Sequence, residues 1–587
     1  MKLKYSNKFI IPCVVLAIGI SSCTDFLTES KENSRLTPEI AWSSPKSAEG
    51  VLLAVYSNLP SEYTAKDDWA SDDMVTNLLT DATVGMATGG WTSTQNPLSN
   101  YNDMYTNFAQ LNDFLAHVDK VKWTLQTDTK GDTLNAMYIK RLKGEAYGLR
   151  AFCGAELLKK IGGVDENGNL LGYPIVTTVI KSLTEGQLPR NTYAECVKQI
   201  VDDCDSAFNN LPLIYSDAGL SANQKRVLGV QFANRINGKA VKLIKSNVAL
   251  RAASPAFAVS GVTWQQAAQF SADLMNLNSG LTKMVAKDEQ FYLQVDDAYL
   301  NSYTECFWYT TNKKLSSTRE SNNFPPSAFG KGQINPSQNL VDCFPDKNGY
   351  PITTSTLYNA ATPYLNRDPR LTMYIYYDGA KTTGTVVTIR TAKGNTIDAK
   401  DSVVTSTRTS YYMRKLMNEG ALTGSSTTGK LTNVAHTYVY ARYTTALLNF
   451  AEAANEVGGP DAVIGGFTAR QVINAIRTRA GIVGTAYTAT LTTKDDFRKL
   501  IHNERRIELC FEGYRFWDLR RWVNGLTDVV GLSKLNEPVA GILINSTATE
   551  FTLIPELEVR SYQPYMIYGP IPYSETLKYN IIQNQGW

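Results

Sequence analysis

The chain has 587 residues, of which 43% are apolar and 19% are charged, and its formal net charge is +3. A chain of this length buries roughly 75% of its unfolded surface, so it can form a large core without covalent cross-links. Residues 1–22 contain three lysines and no acidic residue, so the other 565 residues carry no formal net charge, which removes the electrostatic case for nucleic-acid binding.

The first 23 residues have the pattern of a bacterial lipoprotein signal. Three lysines precede an apolar run from Phe9 to Ile20, and Ser21-Ser22-Cys23 follows it. This run is shorter than the ~20 residues that a membrane-spanning helix needs. We therefore expect residues 1–22 to be removed, Cys23 to carry the lipid, and residues 23–36 to form a flexible leash before a globular domain at 37–587. The alternative is an ordinary secretory signal in which Cys23 has no role.

Helical periodicity dominates the globular part. Thr192 and Glu195 form a capping box, and apolar residues then recur at steps of three and four until Pro212. Neighbouring helices at 137–161 and 192–211, and at 238–253 and 264–277, suggest a scaffold of helical hairpins. The other predicted helices cover residues 46–59, 99–121, 436–457, 466–480 and 495–512.

Two regions depart from this pattern. Residues 278–435 are rich in Gly, Ser, Thr, Asn and Pro, which predicts a loop-rich insertion on a helical scaffold at about 37–277 and 436–522. Short strands are predicted there at 372–376 and 386–389 because of their β-rich composition. Four X-Pro pairs near the C-terminus predict an extended tail at about 536–587 that folds back over the body.

Cysteine and histidine usage predicts neither disulfides nor a metal site. The six cysteines after Cys23 show no CxxC spacing, and a helix would separate Cys196 and Cys204 by ~12 Å of rise, too far for a disulfide. We interpret these cysteines as small buried residues. The three histidines are isolated in sequence. No metal and no cofactor are therefore expected.

The densest cluster of charge lies between Asn503 and Trp522. Glu504, Glu508 and Glu512 would share one helix face, so two of them could serve as the acid and base of a glycosidase. Carboxylates on successive turns are only ~6 Å apart, however, and four arginines are close in sequence. We favour an ion-pair network, and no nucleophile elbow, zinc motif or phosphate-binding loop is present. No catalytic residue is predicted.

The acidic stretch Asp67 to Asp73 offers oxygen atoms that could bind calcium. It lacks the glycine and the terminal glutamate of an EF-hand loop. A capped, solvated loop is the preferred interpretation.

Aromatic residues in polar, loop-like segments are the best candidates for ligand contact. Flat rings stack on the apolar faces of sugars, while neighbouring polar side chains bind the hydroxyl groups. Core packing is the competing role for each ring. The candidate ligand-binding residues are Trp69, Trp91, Tyr101, Tyr303, Trp308 and Tyr309, and Phe324 and Phe329 lie in similar surroundings.

Several blocks of the chain resemble the SusD/RagB family, in the family's order from end to end. They include Cys23 with the following Thr24-Asp25-Phe26-Leu27, the blocks at 141–152, 366–371, 448–456, 476–481 and 503–522, and the closing Pro570-Ile571-Pro572 and Gln583 to Trp587. The C-terminus departs from the family pattern, which has proline before the final glycine. The usual pattern for export to the cell surface is more acidic after the cysteine. Here Thr24 lies between Cys23 and Asp25, the first acidic residue.

The resemblance implies a mostly α fold, with tetratricopeptide-like helical hairpins supporting a loop-rich ligand-binding part that contains little β-structure. It implies a lipoprotein of the outer membrane, facing outward, that binds an oligosaccharide and acts as a lid on a SusC-like TonB-dependent transporter. The blocks at 141–152 and 503–522 would be scaffold, while the sugar-binding aromatics would lie in variable loops.

Two other functions stay open. Some relatives serve peptide importers, so an oligopeptide could be the ligand. An open aromatic platform would favour a glycan, and a closed, mixed polar cavity would favour a peptide. The third possibility, from a different class, is a lipid-anchored glycosidase that uses two of the acidic residues.

Overall fold

The structure is a computed structural model that describes residues 41–126, 128–284, 293, 305–383, 387–394, 396–424 and 429–587. The predicted signal, Cys23 and Tyr303 lie outside the described residues, so the expectations about them stay predictions. Within these ranges, none of the helices combines the length and the apolar character needed to cross a membrane.

The N-terminal half is built from helices that begin at polar capping residues. Thr192 caps its helix with the predicted capping box, and Thr263 does the same for the helix that starts at Trp264. The helix expected at 137 begins at Thr129, because the Asp128 side chain accepts a bond from the Gly131 N–H. The helices are α1 (Pro45–Ser57), α2 (Lys66–Trp69), α3 (Ala82–Gly85), α4 (Tyr101–His117), α5 (Thr129–Ile161), α6 (Tyr193–Asn210), α7 (Ala222–Leu228), α8 (Gly238–Ala253) and α9 (Trp264–Leu277).

Both predicted helix pairs form. α5 packs along α6, and α8 packs along α9. The Arg150 guanidinium joins the first pair through two bonds to the Asp203 carboxylate, at 2.9 and 2.7 Å. Gly148 lets α5 approach α8, since an added Cβ would lie 3.0 Å from the side chains of Ile236, which precedes α8, and Val241 of α8.

The second half adds further helices to the same core. α13 packs against α8, α9, α14 and α16, which places its apolar residues at the centre of the molecule. The helices are α10 (Thr318–Asn323), α11 (Gln338–Cys343), α12 (Pro369–Tyr374), α13 (Tyr443–Gly458), α14 (Ala469–Arg479), α15 (Ala486–Thr490), α16 (Lys494–Glu508), α17 (Arg515–Arg521), α18 (Val529–Leu535) and α19 (Tyr573–Thr576).

The strands of the described residues form antiparallel pairs. The largest pair joins β4 to β10, with Tyr438 opposite Thr310 and Val439 opposite Tyr309. The pairs are β1 (Met74–Val75) with β5 (Asn335–Pro336), β2 (Gly163–Val164) with β3 (Leu170–Leu171), β4 (Cys306–Ser316) with β10 (Val434–Arg442), β6 (Ile375–Tyr376) with β7 (Tyr412–Met413), β8 (Leu422–Thr423) with β9 (Lys430–Leu431), and β11 (Val539–Ile544) with β12 (Phe551–Glu558).

The helix predicted at 436–457 is wrong over its first seven residues, which belong to β10. Threonine, tyrosine and valine alternate there, and such residues favour a strand. The strand predicted at 372–376 is also wrong for residues 372–374, which end α12. Of the segment predicted at 386–389, residue 386 lies outside the described residues and Thr388 makes only an isolated bridge with Lys381.

The loop-rich part has its own apolar cluster, which is separate from the helical core. It includes Phe324, Phe344, Leu371 and Tyr412, and Ile507 and Phe511 extend into it from the C-terminal half. The C-terminal tail returns over the helices as the β11–β12 hairpin and an irregular segment. Asn584 fixes this segment, since its side-chain amide donates to Ile161 O at 2.9 Å.

Candidate functional site

A cavity of about 440 Å³ lies between the C-terminal halves of α5 and α8, strand β10 and helix α17. Its volume is within the range of about 300 to 1,000 Å³ that is usual for small-molecule sites. The lining includes Phe152, Glu156, Lys159 and Lys160 of α5, Asn247 and Arg251 of α8, Trp517 of α17, and Tyr63, Asp67, Tyr438, Tyr440 and Glu512.

One wall of the cavity is aromatic. Tyr438 and Tyr440 lie two residues apart on β10, and their ring centroids are 5.0 Å apart. The Tyr63 ring lies 4.6 Å from that of Tyr438, and the Phe152 ring lies 6.1 Å from that of Tyr440. All four side chains are partly exposed. The wall therefore offers ring surface to a ligand with an apolar face.

Hydrogen bonds hold this wall in place. The Tyr440 hydroxyl donates to Pro60 O at 2.6 Å, and the Val439 N–H donates to the Tyr63 hydroxyl at 3.3 Å. Burial raises the pKa of the Tyr63, Tyr438 and Tyr440 phenols above the ordinary value. The three rings are therefore neutral at physiological pH.

Trp308 forms the layer behind the wall. Its ring is stacked at a tilt on Tyr440, with centroids 4.3 Å apart, and meets Phe152 edge-on at 5.2 Å. The side chain is fully buried. Trp308 thus supports two wall residues without reaching the cavity itself.

Trp517 lines the cavity at another side. Its indole N–H donates to the Asp67 carboxylate at 2.6 Å. Lys159 Nζ lies 5.7 Å from the ring centroid and Arg251 Cζ lies 5.9 Å from it, both within cation–π distance. The cavity therefore combines aromatic rings with charged groups.

The acidic stretch at residues 67–73 fixes α17 and the end of α16. Asp68 accepts a bond from the Gly513 N–H at 3.0 Å, and Asp72 accepts bonds from Arg506 and Arg515 at 2.8 Å each. Asp72 is buried, so the solvated loop that we preferred is wrong at this position. No group of three or more potential metal ligands occurs among the described residues.

The carboxylates of α16 and Glu512, which follows it, form the expected ion-pair network. The helix predicted at 495–512 ends at Glu508, so it is wrong over its last four residues. Glu504 accepts a bond from Arg370 at 2.6 Å, and Glu508 accepts from Arg370 at 3.0 Å and also from Arg479. Glu512 is bound by Lys415 at 2.7 Å.

The environment of these carboxylates does not suit the general acid of a glycosidase, whose pKa must be raised. Burial raises the pKa of Glu508 and Glu512, but the neighbouring cations more than offset it and hold both values below the ordinary one. Both carboxylates are therefore charged structural groups.

The described candidate rings have little exposed surface. Trp69 is 8% exposed, Trp91 2%, Tyr101 6%, Trp308 0% and Tyr309 1%. Trp91 packs against Trp587, with centroids 4.9 Å apart, and Tyr101 against Tyr105 at 4.6 Å. Because stacking on a ligand needs a free ring face, this burial argues for core packing at these positions. Their contact with a ligand stays a prediction.

Sequence reasoning missed Tyr63, Phe152, Tyr438, Tyr440 and Trp517. The signal for the two β10 tyrosines is the alternation Thr437-Tyr438-Val439-Tyr440, which has the period of a strand. Residues two positions apart share a face in a strand but not in a helix, so the helix predicted for this segment did not place the Tyr438 and Tyr440 rings together. Phe152 and Trp517 lie in blocks that were assigned to the scaffold.

Comparison with known proteins gives matches along most of the chain. The family model described as "SusD family" matches residues 296–587, and the one described as "Starch-binding associating with outer membrane" matches residues 25–232. SusD-like protein P38 of Formosa agariphila is 22% identical over 566 residues, which cover 90% of this chain and 93% of that protein.

Solved structures share the fold. A SusD-like protein of Bacteroides fragilis has a TM-score of 0.72 at 20% identity, over 93% of this chain and 98% of that one. A SusD-like carbohydrate-binding protein of the same organism has a TM-score of 0.67 at 19% identity, over 92% and 98% of the two chains. The predicted mostly helical fold with a minor β part is confirmed.

Proposed function

The chain belongs to the SusD/RagB family, and from this premise we propose that it is a lipid-anchored, outer-membrane glycan-binding protein whose ligand occupies the cavity beside Tyr438 and Tyr440. The ligand is an oligosaccharide, and it is bound without being cleaved.

The aromatic wall is the observation that carries this proposal. Sugar rings expose C–H groups on one face and hydroxyls at the edge, so they suit a site that joins aromatic rings to polar side chains. Tyr63, Tyr438 and Tyr440 supply the rings, and Asn247, Glu156 and Lys159 supply polar groups along the same cavity. The matching family described as starch-binding and the carbohydrate-binding protein of Bacteroides fragilis support the same ligand class.

A binding role without chemistry agrees with the family, whose members are non-catalytic binding proteins. Two further parts of the proposal come from the same family. The first is attachment to the outer membrane through Cys23, which the description of the N-terminal match supports. The second is a SusC-like TonB-dependent transporter, over which the body acts as a lid that delivers the oligosaccharide.

The test is binding of labelled oligosaccharides from a polysaccharide panel to the purified protein. We expect retention of at least one oligosaccharide, and its recovery at unchanged length after prolonged incubation. Release of new reducing ends would overturn the binding-only proposal. Failure to retain any member of the panel would remove the glycan as ligand.

An oligopeptide is the second candidate, and one observation favours it. Charged groups of both signs line the cavity, including Glu156 paired with Lys159 at 2.6 Å and Glu512 paired with Arg442 at 2.8 Å. Such a mixed polar lining would also suit a peptide. A protein hydrolysate tested in parallel distinguishes the two, since retention of peptides with no retained oligosaccharide favours the second candidate.

A further inference from the structure

Two cationic side chains of the cavity have no hydrogen-bond or ion-pair partner among the described residues, although Arg251 lies within cation–π distance of Phe257 and Trp517. Lys160 and Arg251 both line it, and neither donates a side-chain hydrogen bond or forms an ion pair with any residue in the described part of the chain. Lys159 contrasts with them, since it is bound to Glu156 at 2.6 Å. The cavity therefore contains donors that the protein itself leaves free.

The acidic side chains of the lining are mostly engaged. Glu62, Asp67, Glu156, Glu512 and Asp518 each accept a hydrogen bond from a cationic side chain or from the Trp517 indole. Asp103 is exposed. Asn100 Oδ1 is an acceptor of the lining that has no hydrogen-bond partner among the described residues. The unused charged groups inside the cavity are nevertheless the donors of Lys160 and Arg251, and they fit a ligand that brings acceptors.

A third unused group lies beside Arg251. The Tyr193 side chain is 1% exposed and lines the cavity, yet its hydroxyl has no hydrogen-bond partner. Arg251 Cζ lies 6.0 Å from the centroid of the Phe257 ring, on which Tyr193 is stacked. The Tyr193 ring is held by stacking on Phe257, with centroids 4.8 Å apart. A buried hydroxyl without a partner is costly unless a ligand binds it.

Burial also disfavours the charge on both free cations. It lowers the pKa of Arg251 to about 10, and it lowers the pKa of Lys160 below the ordinary value. An anionic group in the cavity would stabilise both charges, because opposite charges attract strongly where water is excluded.

We infer that the ligand is an acidic glycan, whose carboxylate or sulfate group is bound by the Arg251 guanidinium and the Tyr193 hydroxyl, with Lys160 as a second cationic contact. This inference rests on the proposed function and narrows its ligand class. Arginine suits the role, since its planar fork binds oxyanions with two parallel hydrogen bonds. The aromatic wall would hold the apolar face of a neighbouring sugar unit.

The test compares three oligosaccharides of equal length by calorimetry: a neutral galactan fragment, an oligogalacturonate and a sulfated galactan fragment. We expect at least one acidic oligosaccharide to bind about 10-fold or more tightly than the neutral one, and its affinity to fall as salt is added. Preference between the two acidic probes identifies the carboxylate or the sulfate as the group that is bound.

Arg251→Gln tests the assignment to this position. We expect it to weaken binding of the acidic oligosaccharide by about 10- to 100-fold, the effect of losing a charged hydrogen bond. Because Arg251 makes no ion pair in the described structure, its replacement leaves no acidic partner unpaired and the fold should persist. Lys198→Gln is the matched control, since Lys198 is 75% exposed on α6 and lies outside the cavity lining. The control should leave the affinity unchanged.

The outcomes separate this inference from the proposed function. Binding of the neutral and acidic oligosaccharides with equal affinity, or unchanged affinity in Arg251→Gln, overturns the acidic-glycan inference and leaves glycan binding in place. Oligoglutamate of the same length is the peptide probe in the same experiment, and its binding when none of the three oligosaccharides binds overturns both.

Discussion

The network around Glu508 and the cavity around Tyr440 share Arg442 and Glu512, yet they differ in how completely their charged side chains are paired. In the network, the buried carboxylates of α16 are bound by cationic side chains from several segments. In the cavity, Lys160 and Arg251 have no hydrogen-bond or ion-pair partner among the described residues. Ion pairs between buried side chains hold those side chains in one conformation, whereas donors without a partner can form hydrogen bonds with a ligand. The extent of charge pairing therefore distinguishes the scaffold from the proposed site.

The largest expected effect is on the network side. Glu508→Ala would leave Arg370, Arg442 and Arg479 without one of their carboxylates, and unpaired buried charge is strongly destabilising. We expect the free energy of unfolding to fall by about 3 to 5 kcal/mol, at the upper end because three cations are affected. Urea denaturation followed by circular dichroism measures it.

Glu537→Ala is the control for this prediction. Glu537 is 39% exposed and pairs with Lys534 at 3.1 Å, so its removal should cost less than about 1 kcal/mol. Equal losses in the free energy of unfolding for the two substitutions would show that the buried ion pairs of Glu508 contribute no more to stability than an exposed pair.

Trp91→Ala tests whether that ring belongs to the core. Trp91 packs against Phe516, Tyr562 and Trp587, so its truncation should lower the free energy of unfolding by about 3 kcal/mol. Glycan affinity of the folded variant should be unchanged, because Trp91 does not line the cavity. Weaker glycan binding by Trp91→Ala, with an unchanged free energy of unfolding, would instead indicate that Trp91 contacts the ligand. Thermal unfolding and calorimetry give the two readouts.

A smaller effect is expected from acid. The pKa of Glu508 is lower in the folded protein than in the unfolded chain, where it is about 4.3. Its contribution to stability is therefore complete above that value and is lost progressively as the pH falls through the folded pKa. The urea midpoint should decrease below about pH 4.3.

In Glu508→Gln the acid-induced decrease should be shallower than in the wild type, because one carboxylate with a lowered pKa is gone. If the urea midpoint of Glu508→Gln falls with decreasing pH as steeply as that of the wild type, Glu508 does not contribute to the acid-induced loss of stability. Glu537→Ala again serves as the control.

The scaffold could be predicted from sequence where local signals and packing agree. The helices at 238–253 and 264–277 have their predicted bounds, and Thr192 begins its helix as the capping box indicates. These features depend on residues three or four positions apart, so a single sequence carries them. The ion-pair role of Glu504, Glu508 and Glu512 was also predictable from the charge density of their block. Their partners were not, because they come from distant segments: Arg370, Arg442, Arg479 and Lys415.

The site was not predictable in the same way. Tyr63, Phe152, Tyr440 and Trp517 come together only through tertiary packing. Trp91 differs from them in lying outside the cavity lining, which the polarity of the flanking sequence does not report. For β10, the alternation at residues 437–440 has the period of a strand, and pairing with β4 completes that strand. Residue type predicted aromatic contact with a ligand but could not show which rings face the cavity.

Glycan affinity of Tyr440→Ala, set against Tyr573→Ala, tests the central claim most directly. Tyr573 is 48% exposed and lies outside the cavity lining, so Tyr573→Ala removes the same kind of side chain at a position away from the proposed site. We expect Tyr440→Ala to weaken binding of the retained oligosaccharide by about 1 to 3 kcal/mol, by analogy with loss of an aromatic ring stacked on a nucleobase. Tyr573→Ala should bind as the wild type does. Equal affinity of the two variants and the wild type would contradict a ligand site at the β10 wall.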